Sequence, residues 1–179
     1  ALMQITDDGC GIERDDVPLA FLRHATSKIS DQDDLFSIAT LGFRGEALAS
    51  VASVARVNLF TRVRGDEFGT HYRIEGGEEI EYEEAGCAEG TTIIVEDLFF
   101  NTPARMKFLK KDASEATAAA GVVEKIALSH PEISFKFIKD GKETLHTPGD
   151  GDLKSAVYTV LGKEFSASLI PVDYAIGGI

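Results

Sequence analysis

The segment VNLFTRVRGDEFGTHYRIEGG, residues 57–77, carries the clearest strand pattern of this chain. Apolar or β-branched side chains alternate with polar ones on both sides of Gly65-Asp66, and Gly76-Gly77 ends the second run. A period of two residues is typical of a half-buried strand, and a glycine-containing turn between two such runs indicates a hairpin. The segment therefore predicts two antiparallel strands joined by a turn.

Further strands are predicted on both sides of this hairpin. Residues 80–83 and 91–96 continue an antiparallel meander, and an earlier strand ends at Asp7. A second hairpin is predicted over residues 133–146, with Asp140-Gly141 at its turn. The chain therefore contains enough strand signals for a sheet of several antiparallel strands.

Apolar side chains recur at helical spacing in two longer segments, residues 44–55 and residues 114–129. Shorter helices are predicted at residues 17–24, at residues 30–42 and from Pro103 onward. Together with the strands, these segments predict an α+β architecture, with a mixed, largely antiparallel sheet and helices on one face.

The stretch TPGDGD, residues 147–152, is the best linker candidate because glycine, proline and aspartate cluster there. We therefore predict one domain over residues 1–149. Residues 150–179 are too few for an independent domain, so we interpret them as the beginning of a truncated second α/β domain, with a strand near Leu169.

Composition restricts the function classes. The chain has 179 residues, 44% of them hydrophobic, which is ordinary for a globular protein. No apolar run approaches the roughly 20 residues of a membrane span, so we expect no membrane partner. Against 30 acidic residues there are 18 basic ones, which argues against the chain binding a nucleic-acid backbone by itself. Two cysteines in unrelated contexts predict a reducing, cytoplasmic location.

Two glycine-bearing stretches are candidates for chemistry: ITDDGCGI at residues 5–12 and LGFRGEALAS at residues 41–50. Neither a Walker-type phosphate loop nor a dinucleotide fingerprint is present. A Walker loop needs Ser or Thr after its lysine, whereas Lys142 and Lys163 are both followed by Glu. A dinucleotide fingerprint needs a third glycine where this chain has Arg14.

The residue types favour a nucleotide site. An ionised Asp7 can only accept hydrogen bonds, and an exocyclic amine such as that of adenine is a suitable donor. Gly9 and Gly11 let the backbone approach a flat base. The glycines at residues 42–45 precede a helix, where amide groups attract phosphates. The alternative interpretation is that both stretches are ordinary turns.

Five stretches occur in one order: DDGCGI (7–12), HATSKI (24–29), LGFRGEALAS (41–50), EGTT (89–92) and FFNTPARMKFL (99–109). Together they resemble the MutL family of DNA mismatch-repair ATPases. That family belongs to the GHKL, or Bergerat-type, group with the gyrase B subunit, a heat-shock chaperone ATPase and sensor histidine kinases. The resemblance implies a GHKL ATPase domain that lacks its first helix, followed by a transducer-like domain.

The resemblance also implies roles for individual residues. Asp7 would bind the adenine amine, Gly9 and Gly11 would shape the base pocket, and Thr91 would support Asp7. A lid over the nucleotide would contain Thr26, Ser27 and Lys28. The phosphates would be wrapped by Gly42, Phe43, Arg44, Gly45, Glu46, Ala47 and Leu48. Outside this set, we interpret Asn101 as a helix cap, since it precedes Thr-Pro, and His24 as a packed or lid-lining residue.

Members of the family hydrolyse ATP with a glutamate general base and bind Mg2+ through an asparagine four residues later. Both are expected upstream of the strand that ends at Asp7, because neither Asn58 nor Asn101 has Glu four positions before it. We therefore assign no catalytic residue and no metal ligand in this chain. The parent protein is expected to use ATP and Mg2+, and this chain alone is expected to be inactive in hydrolysis.

The resemblance implies a parent that is a homodimer and that couples the mismatch-recognition protein MutS to a downstream nuclease or helicase. DNA would be contacted mainly through regions outside this chain, and the location would be cytoplasmic and nucleoid-associated. Two alternatives stay open: a non-enzymatic, nucleotide-gated interaction module, and another GHKL ATPase such as a topoisomerase subunit. The stretch NTPAR, residues 101–105, argues against the second alternative.

Overall fold

A computed structural model describes residues 2–25, 42 and 44–172 of the chain. The chain divides into two compact units, Ala1–Phe108 and Leu109–Ile179. The assignment of domains to residues 1–149 and 150–179 stays a prediction.

The first unit is built on a five-stranded sheet. Its strands are β1 (Leu2–Asp7), β2 (Arg56–Arg62), β3 (Gly69–Glu75), β4 (Glu78–Ala85) and β5 (Gly90–Glu96). The spatial order is β1-β5-β2-β3-β4, and all neighbouring strands are antiparallel. The predicted hairpin is therefore β2–β3, and β5 brings the sequence-distant β1 into the same sheet. This pairing places the end of β1 beside the beginning of β5.

One face of the sheet carries the core of the first unit. Alternate residues of β2, β3 and β5 point to this face, as the period of two predicts. The short helix α1 (Ala47–Ala52) covers it together with two single 3-10 turns, Arg14–Asp16 and Leu19–Phe21. The buried cluster consists of Val17, Phe21, Ala52, Ala55, Val57, Leu59, Tyr72, Ile74 and Val95.

The helix predicted at residues 17–24 is wrong: the 3-10 turns replace it. The amides of Ala20, Phe21 and Leu22 donate to the carbonyls three residues before them rather than four. The backbone at Leu22 is already extended, with φ −83° and ψ 142°. Val17 and Phe21 are still buried, and the Phe21 ring stacks on Tyr72 at a centroid distance of 5.3 Å. Tertiary packing therefore keeps the apolar pair while the local helix is lost. The helix predicted at residues 30–42 lies outside the described residues.

The second unit contains α3 (Asp112–Ser129), the hairpin β6 (Lys136–Lys139) with β7 (Lys142–His146), α4 (Leu153–Leu161) and α5 (Lys163–Ala167). The helix α2 (Pro103–Met106) precedes it in the first unit. The strand predicted near Leu169 is wrong, because that residue follows α5 as irregular backbone and no strand in the described part of the chain pairs with it.

The predicted linker, residues 147–152, is tied to the second unit by hydrogen bonds. Thr147 is buried, and its hydroxyl accepts from the amide of Phe135 at 2.8 Å. Asp152 caps α4 by accepting from the amide of Lys154 at 3.0 Å. Among the helices that the structure describes, none has the length and apolar character needed to cross a membrane.

Candidate functional site

Asp7, the last residue of β1, is held by two backbone amides. Its Oδ1 accepts a hydrogen bond from the amide of Gly9 at 2.9 Å and from the amide of Thr91 at 3.3 Å. Among the described residues, no donor reaches Oδ2. Because an ionised carboxylate only accepts, Asp7 offers Oδ2 to a donor from outside, in an orientation that the two amides determine.

Behind Asp7 lies a buried pair of threonines. Thr61 is 1% exposed and Thr91 is 9% exposed, and their hydroxyl oxygens are 3.1 Å apart. The Thr61 hydroxyl donates to the carbonyl of Gly90 and accepts from the amide of Ile12 at 2.9 Å. Since the single proton of the Thr61 hydroxyl is used in the bond to Gly90, the hydroxyl of Thr91 must donate to Thr61. These bonds join β2, β5 and the loop after β1.

Thr61 is a site residue that sequence reasoning missed. The signal was present, because Thr61 occupies a core-facing position in the alternating run that also contains Val57 and Leu59. A hydroxyl at a buried position needs partners. Which partners it finds depends on the pairing of β2 with β5, and that pairing is not encoded locally.

The glycines of this region are required by close backbone contacts. Gly11 has φ 77°, and a Cβ there would lie 2.3 Å from the carbonyl oxygen of Arg62. Gly90 has φ 94°, and its Cβ would lie 2.2 Å from the carbonyl oxygen of Asp7. Both positions combine a left-handed backbone with no room for a side chain. Gly11 therefore serves packing inside the protein, whatever further role the open backbone has toward a ligand.

The second glycine stretch meets the segment that precedes it in the sequence. The amide of His24 donates to the carbonyl of Gly45 at 3.2 Å, and His24 Nδ1 lies 3.1 Å from Glu46 Oε1. A Cβ on Gly45, which has φ 62°, would lie 2.0 Å from the carbonyl oxygen of Ala25. Residues 24–25 and 45–46 therefore form one junction, at which His24 contacts Glu46.

The remaining residues of the predicted phosphate loop are placed as follows. Gly42 and Arg44 are exposed, Ala47 begins α1, and Leu48 packs against the core cluster. Ile12, from the loop after β1, packs against the same cluster, so both glycine stretches border one core. The predicted residues Thr26, Ser27, Lys28 and Phe43 lie outside the described residues.

The interpretation of Asn101 as a helix cap is wrong. The residue before α2 is Thr102, and no side chain caps that helix. Asn101 Nδ2 instead donates to the carbonyl of Ser53, directly after α1, at 2.9 Å. A carbonyl at a helix C-terminus has no partner within the helix, so Asn101 satisfies it. The NTPAR stretch thus anchors the chain to α1.

A cavity of about 140 Å³ adjoins the loop after β1. Its lining includes Ile12, Arg14, Thr61 and Arg62. Sites for small molecules usually enclose about 300–1,000 Å³, and neither Asp7 nor Thr91 lines this cavity. The carboxylate of Asp7, which the two amides orient, is therefore not part of the cavity.

No protein-family model matches the chain. Curated relatives named DNA mismatch repair protein MutL are 52% identical over 174 residues in Agathobacter rectalis and 53% identical over 178 residues in Geobacter sulfurreducens. These matches cover 97% and 99% of this chain. The chain spans only 27% and 29% of the length of the two relatives.

Solved structures match the fold. The Aquifex aeolicus MutL ATPase domain complexed with ADP is 29% identical, with a TM-score of 0.68, over 89% of this chain and 56% of that one. The N-terminal domain of a DNA repair protein is 26% identical, with a TM-score of 0.70, over 90% of this chain and 47% of that one. The predicted α+β, GHKL-type fold is therefore confirmed. With about half of its residues identical to MutL proteins over nearly its whole length, this chain belongs to the MutL family of DNA mismatch-repair proteins.

Proposed function

We propose that this chain binds the adenine nucleotide in a mismatch-repair ATPase, with Asp7 as the residue that recognises the base. The observation that carries the proposal is the geometry of Asp7, whose Oδ1 is held by the amides of Gly9 and Thr91. Two fixed bonds on one oxygen orient the other. The complex of ADP with a similar ATPase domain supports this assignment.

Oδ2 of Asp7 would accept a hydrogen bond from the exocyclic amine of adenine. Guanine carries a carbonyl oxygen at the corresponding ring position, and two acceptors cannot form a hydrogen bond. The site therefore selects adenine because guanine would leave the Asp7 carboxylate without a hydrogen-bond donor. A missing hydrogen bond discriminates between ligands more strongly than a difference in size does. Thr91 contributes its amide to Asp7, while its hydroxyl proton is used by Thr61.

The second glycine stretch would hold the phosphates through its backbone. The residues proposed for this role are Gly42, Phe43, Arg44, Gly45, Glu46, Ala47 and Leu48. The left-handed backbone of Gly45 at the junction with Ala25 supports this role of the stretch. In the sequence, that junction is followed directly by Thr26, Ser27 and Lys28, and we propose these residues for the lid over the nucleotide.

In the whole protein, the bound nucleotide would be ATP with Mg2+, and its slow hydrolysis would switch the lid between ordered and disordered states. An ordered lid would complete a homodimer interface. The dimer would receive the mismatch signal from MutS, act on DNA mainly through regions outside this chain, and direct a repair nuclease or helicase in the nucleoid. This chain carries no glutamate four residues before an asparagine, so we propose that alone it binds without hydrolysing.

The test is calorimetric titration of Mg-ATP into this chain, beside Asp7→Asn and the matched control Asp8→Asn. Each variant replaces one carboxylate by an amide, and the two positions are neighbours in the sequence. Only the Asp7 carboxylate accepts from the amides of Gly9 and Thr91. We expect saturable binding that is strongly weakened, but still measurable, in Asp7→Asn and unchanged in Asp8→Asn. Absence of binding to the unaltered chain, or equal binding to both variants, would overturn the role of Asp7.

A further inference from the structure

The face of the sheet opposite the core carries a second group of functional side chains. In the register of the sheet, His71 pairs with Phe60 on β2 and with Glu83 on β4. Their neighbours Leu59 and Tyr72 point to the core, so His71 and Glu83 point away from it. Glu81, two residues from Glu83, lies on the same face.

These three side chains direct their ligand atoms toward one another. His71 Nδ1 lies 3.6 Å from Glu83 Oε1 and 3.8 Å from Glu81 Oε2. All three atoms are within 4.8 Å of one another. A direct N–H···O hydrogen bond would measure about 2.7–3.2 Å. Around a tetrahedral zinc ion, with ligand bonds of about 2.0–2.2 Å, neighbouring ligand atoms are roughly 3.4 Å apart. The two distances from His71 Nδ1 are closer to this spacing than to the length of a direct hydrogen bond.

The second nitrogen of His71 determines which proton the ring carries. Nε2 lies 3.0 Å from Asn58 Oδ1, and an amide oxygen only accepts, so Nε2 is the protonated nitrogen. The ring also stacks on Phe60, at a centroid distance of 4.4 Å and an interplanar angle of 4°. In neutral His71, Nδ1 then carries the lone pair, which faces two carboxylates. A histidine ligand whose other nitrogen is bound to an oxygen is the usual arrangement at metal sites.

Glu81 faces a cation on one side and His71 on the other. Its Oε1 lies 3.7 Å from Arg73 Nη1, and its Oε2 faces His71. Arg73 also pairs with Glu75, so its charge is shared between two carboxylates. The side chain of His71 is 12% exposed, whereas Glu83 is largely exposed, so the site is anchored on its histidine side and open on the other.

We propose that His71 Nδ1, Glu81 Oε2 and Glu83 Oε1 bind one divalent transition-metal ion of the Zn2+ type. One imidazole with two carboxylates suits Zn2+, Co2+ or Ni2+ better than Mg2+ or Ca2+, which prefer all-oxygen sites. Three ligands leave a fourth position for water. The ion links β3 to the edge strand β4, so its binding stabilises the folded chain by mass action. The site is independent of Asp7, which lies on β1 at the other edge of the sheet.

The experiment uses this chain with Cys10 and Cys87 changed to Ser, because both are free thiols and compete for zinc. Calorimetric titration with Zn2+, thermal melting with and without Zn2+, and the visible spectrum with Co2+ are recorded. We compare His71→Gln and Glu83→Gln with the control Glu84→Gln, which removes the same charge from the neighbouring residue on the opposite face of β4.

We expect one ion per chain, a rise in melting temperature and a visible Co2+ band in the background chain and in Glu84→Gln. His71→Gln and Glu83→Gln lose all three, while Asn58→Ala keeps the stoichiometry but binds about 10–100-fold more weakly. If the chain with both cysteines changed binds no Zn2+, His71 and the two glutamates form an ion pair only. Equal binding in Glu83→Gln and Glu84→Gln would place the metal elsewhere. Either result overturns the proposal.

Discussion

The amide of Thr91 donates to Asp7 Oδ1 at 3.3 Å, although the two residues are 84 positions apart in the sequence. The register of β1 with β5 brings them opposite each other. The bond ties the orientation of an exposed carboxylate to a residue that is buried in the sheet. A loop residue would lose its orientation in solution, whereas Asp7 is held at the end of a strand.

Nucleotide selectivity should follow from this orientation. We expect the chain to bind ATP at least ten times more tightly than GTP, because Asp7 Oδ2 accepts from an amine and repels a carbonyl oxygen. Competition calorimetry with the two Mg-nucleotides measures the ratio. In Asp7→Asn, whose amide both donates and accepts, the ratio should fall. An unchanged ratio in that variant would remove Asp7 from base recognition.

The threonine pair predicts unequal costs for two similar substitutions. Thr61→Val leaves the amide of Ile12 and the carbonyl of Gly90 without their partner, so we expect a loss of about 2–3 kcal/mol in the free energy of unfolding. Thr91→Val removes one hydroxyl–hydroxyl bond, with a cost of about 1 kcal/mol. Urea denaturation of both variants checks the order. Equal losses would contradict the network.

Steric contact distinguishes two glycines that share a left-handed backbone. Gly65→Ala meets open space at φ 93°, so its cost should be about 1–2 kcal/mol from backbone strain alone. Gly11→Ala also places a Cβ 2.3 Å from the Arg62 carbonyl oxygen, which adds about 1–3 kcal/mol. Denaturation midpoints measure the difference. If the two variants are equally stable, the loop after β1 relaxes away from β2.

Asn101→Asp separates the anchor role from the cap role. Asp and Asn are equivalent as N-caps, so a cap would tolerate the change. In the structure, the Asn101 amide donates to the carbonyl of Ser53, and a carboxylate would face that carbonyl without a proton. We expect Asn101→Asp to destabilise the chain by about 1–2 kcal/mol, at least as much as Asn101→Ala. If Asn101→Asp is as stable as the unaltered chain, Asn101 acts as a helix cap and not as an anchor for Ser53.

Burial of Tyr72 predicts a loss of stability at high pH. Burial, and then the hydrogen bond with Glu79, raise the pKa of Tyr72 from 10.0 to about 12. The folded state therefore binds the phenolic proton more tightly than the unfolded state. This contribution is complete below pH 10 and is lost as the pH rises toward 12.

The free energy of unfolding, measured by urea between pH 9 and 12, should fall more steeply in the unaltered chain than in Tyr72→Phe. The Phe ring keeps the stacking on Phe21 and the contact with Tyr82. Parallel curves for the two proteins would show that Tyr72 titrates alike in the folded and unfolded states.

The predictions from sequence succeeded where the signal is local. Alternation over residues 57–77 identified β2 and β3, and helical spacing identified α1 and α3, because both periods are properties of a short segment. They failed at residues 17–24 and at Asn101. In the first case the backbone becomes extended at Leu22 although Val17 and Phe21 are buried as a helical spacing would place them. In the second, a carbonyl at the end of α1 was the better partner for the amide.

The family, the order of the strands along the chain and the two glycine stretches can be read from the amino-acid sequence, since each is written in consecutive residues. The spatial order β1-β5-β2-β3-β4 is visible only in the folded chain. From that order follow the support of Asp7 by Thr91, the role of Thr61 and the meeting of His71 with Glu81 and Glu83. The physical reason is that side-chain partners across a sheet depend on strand register, and register depends on burial of one whole face rather than on any single segment.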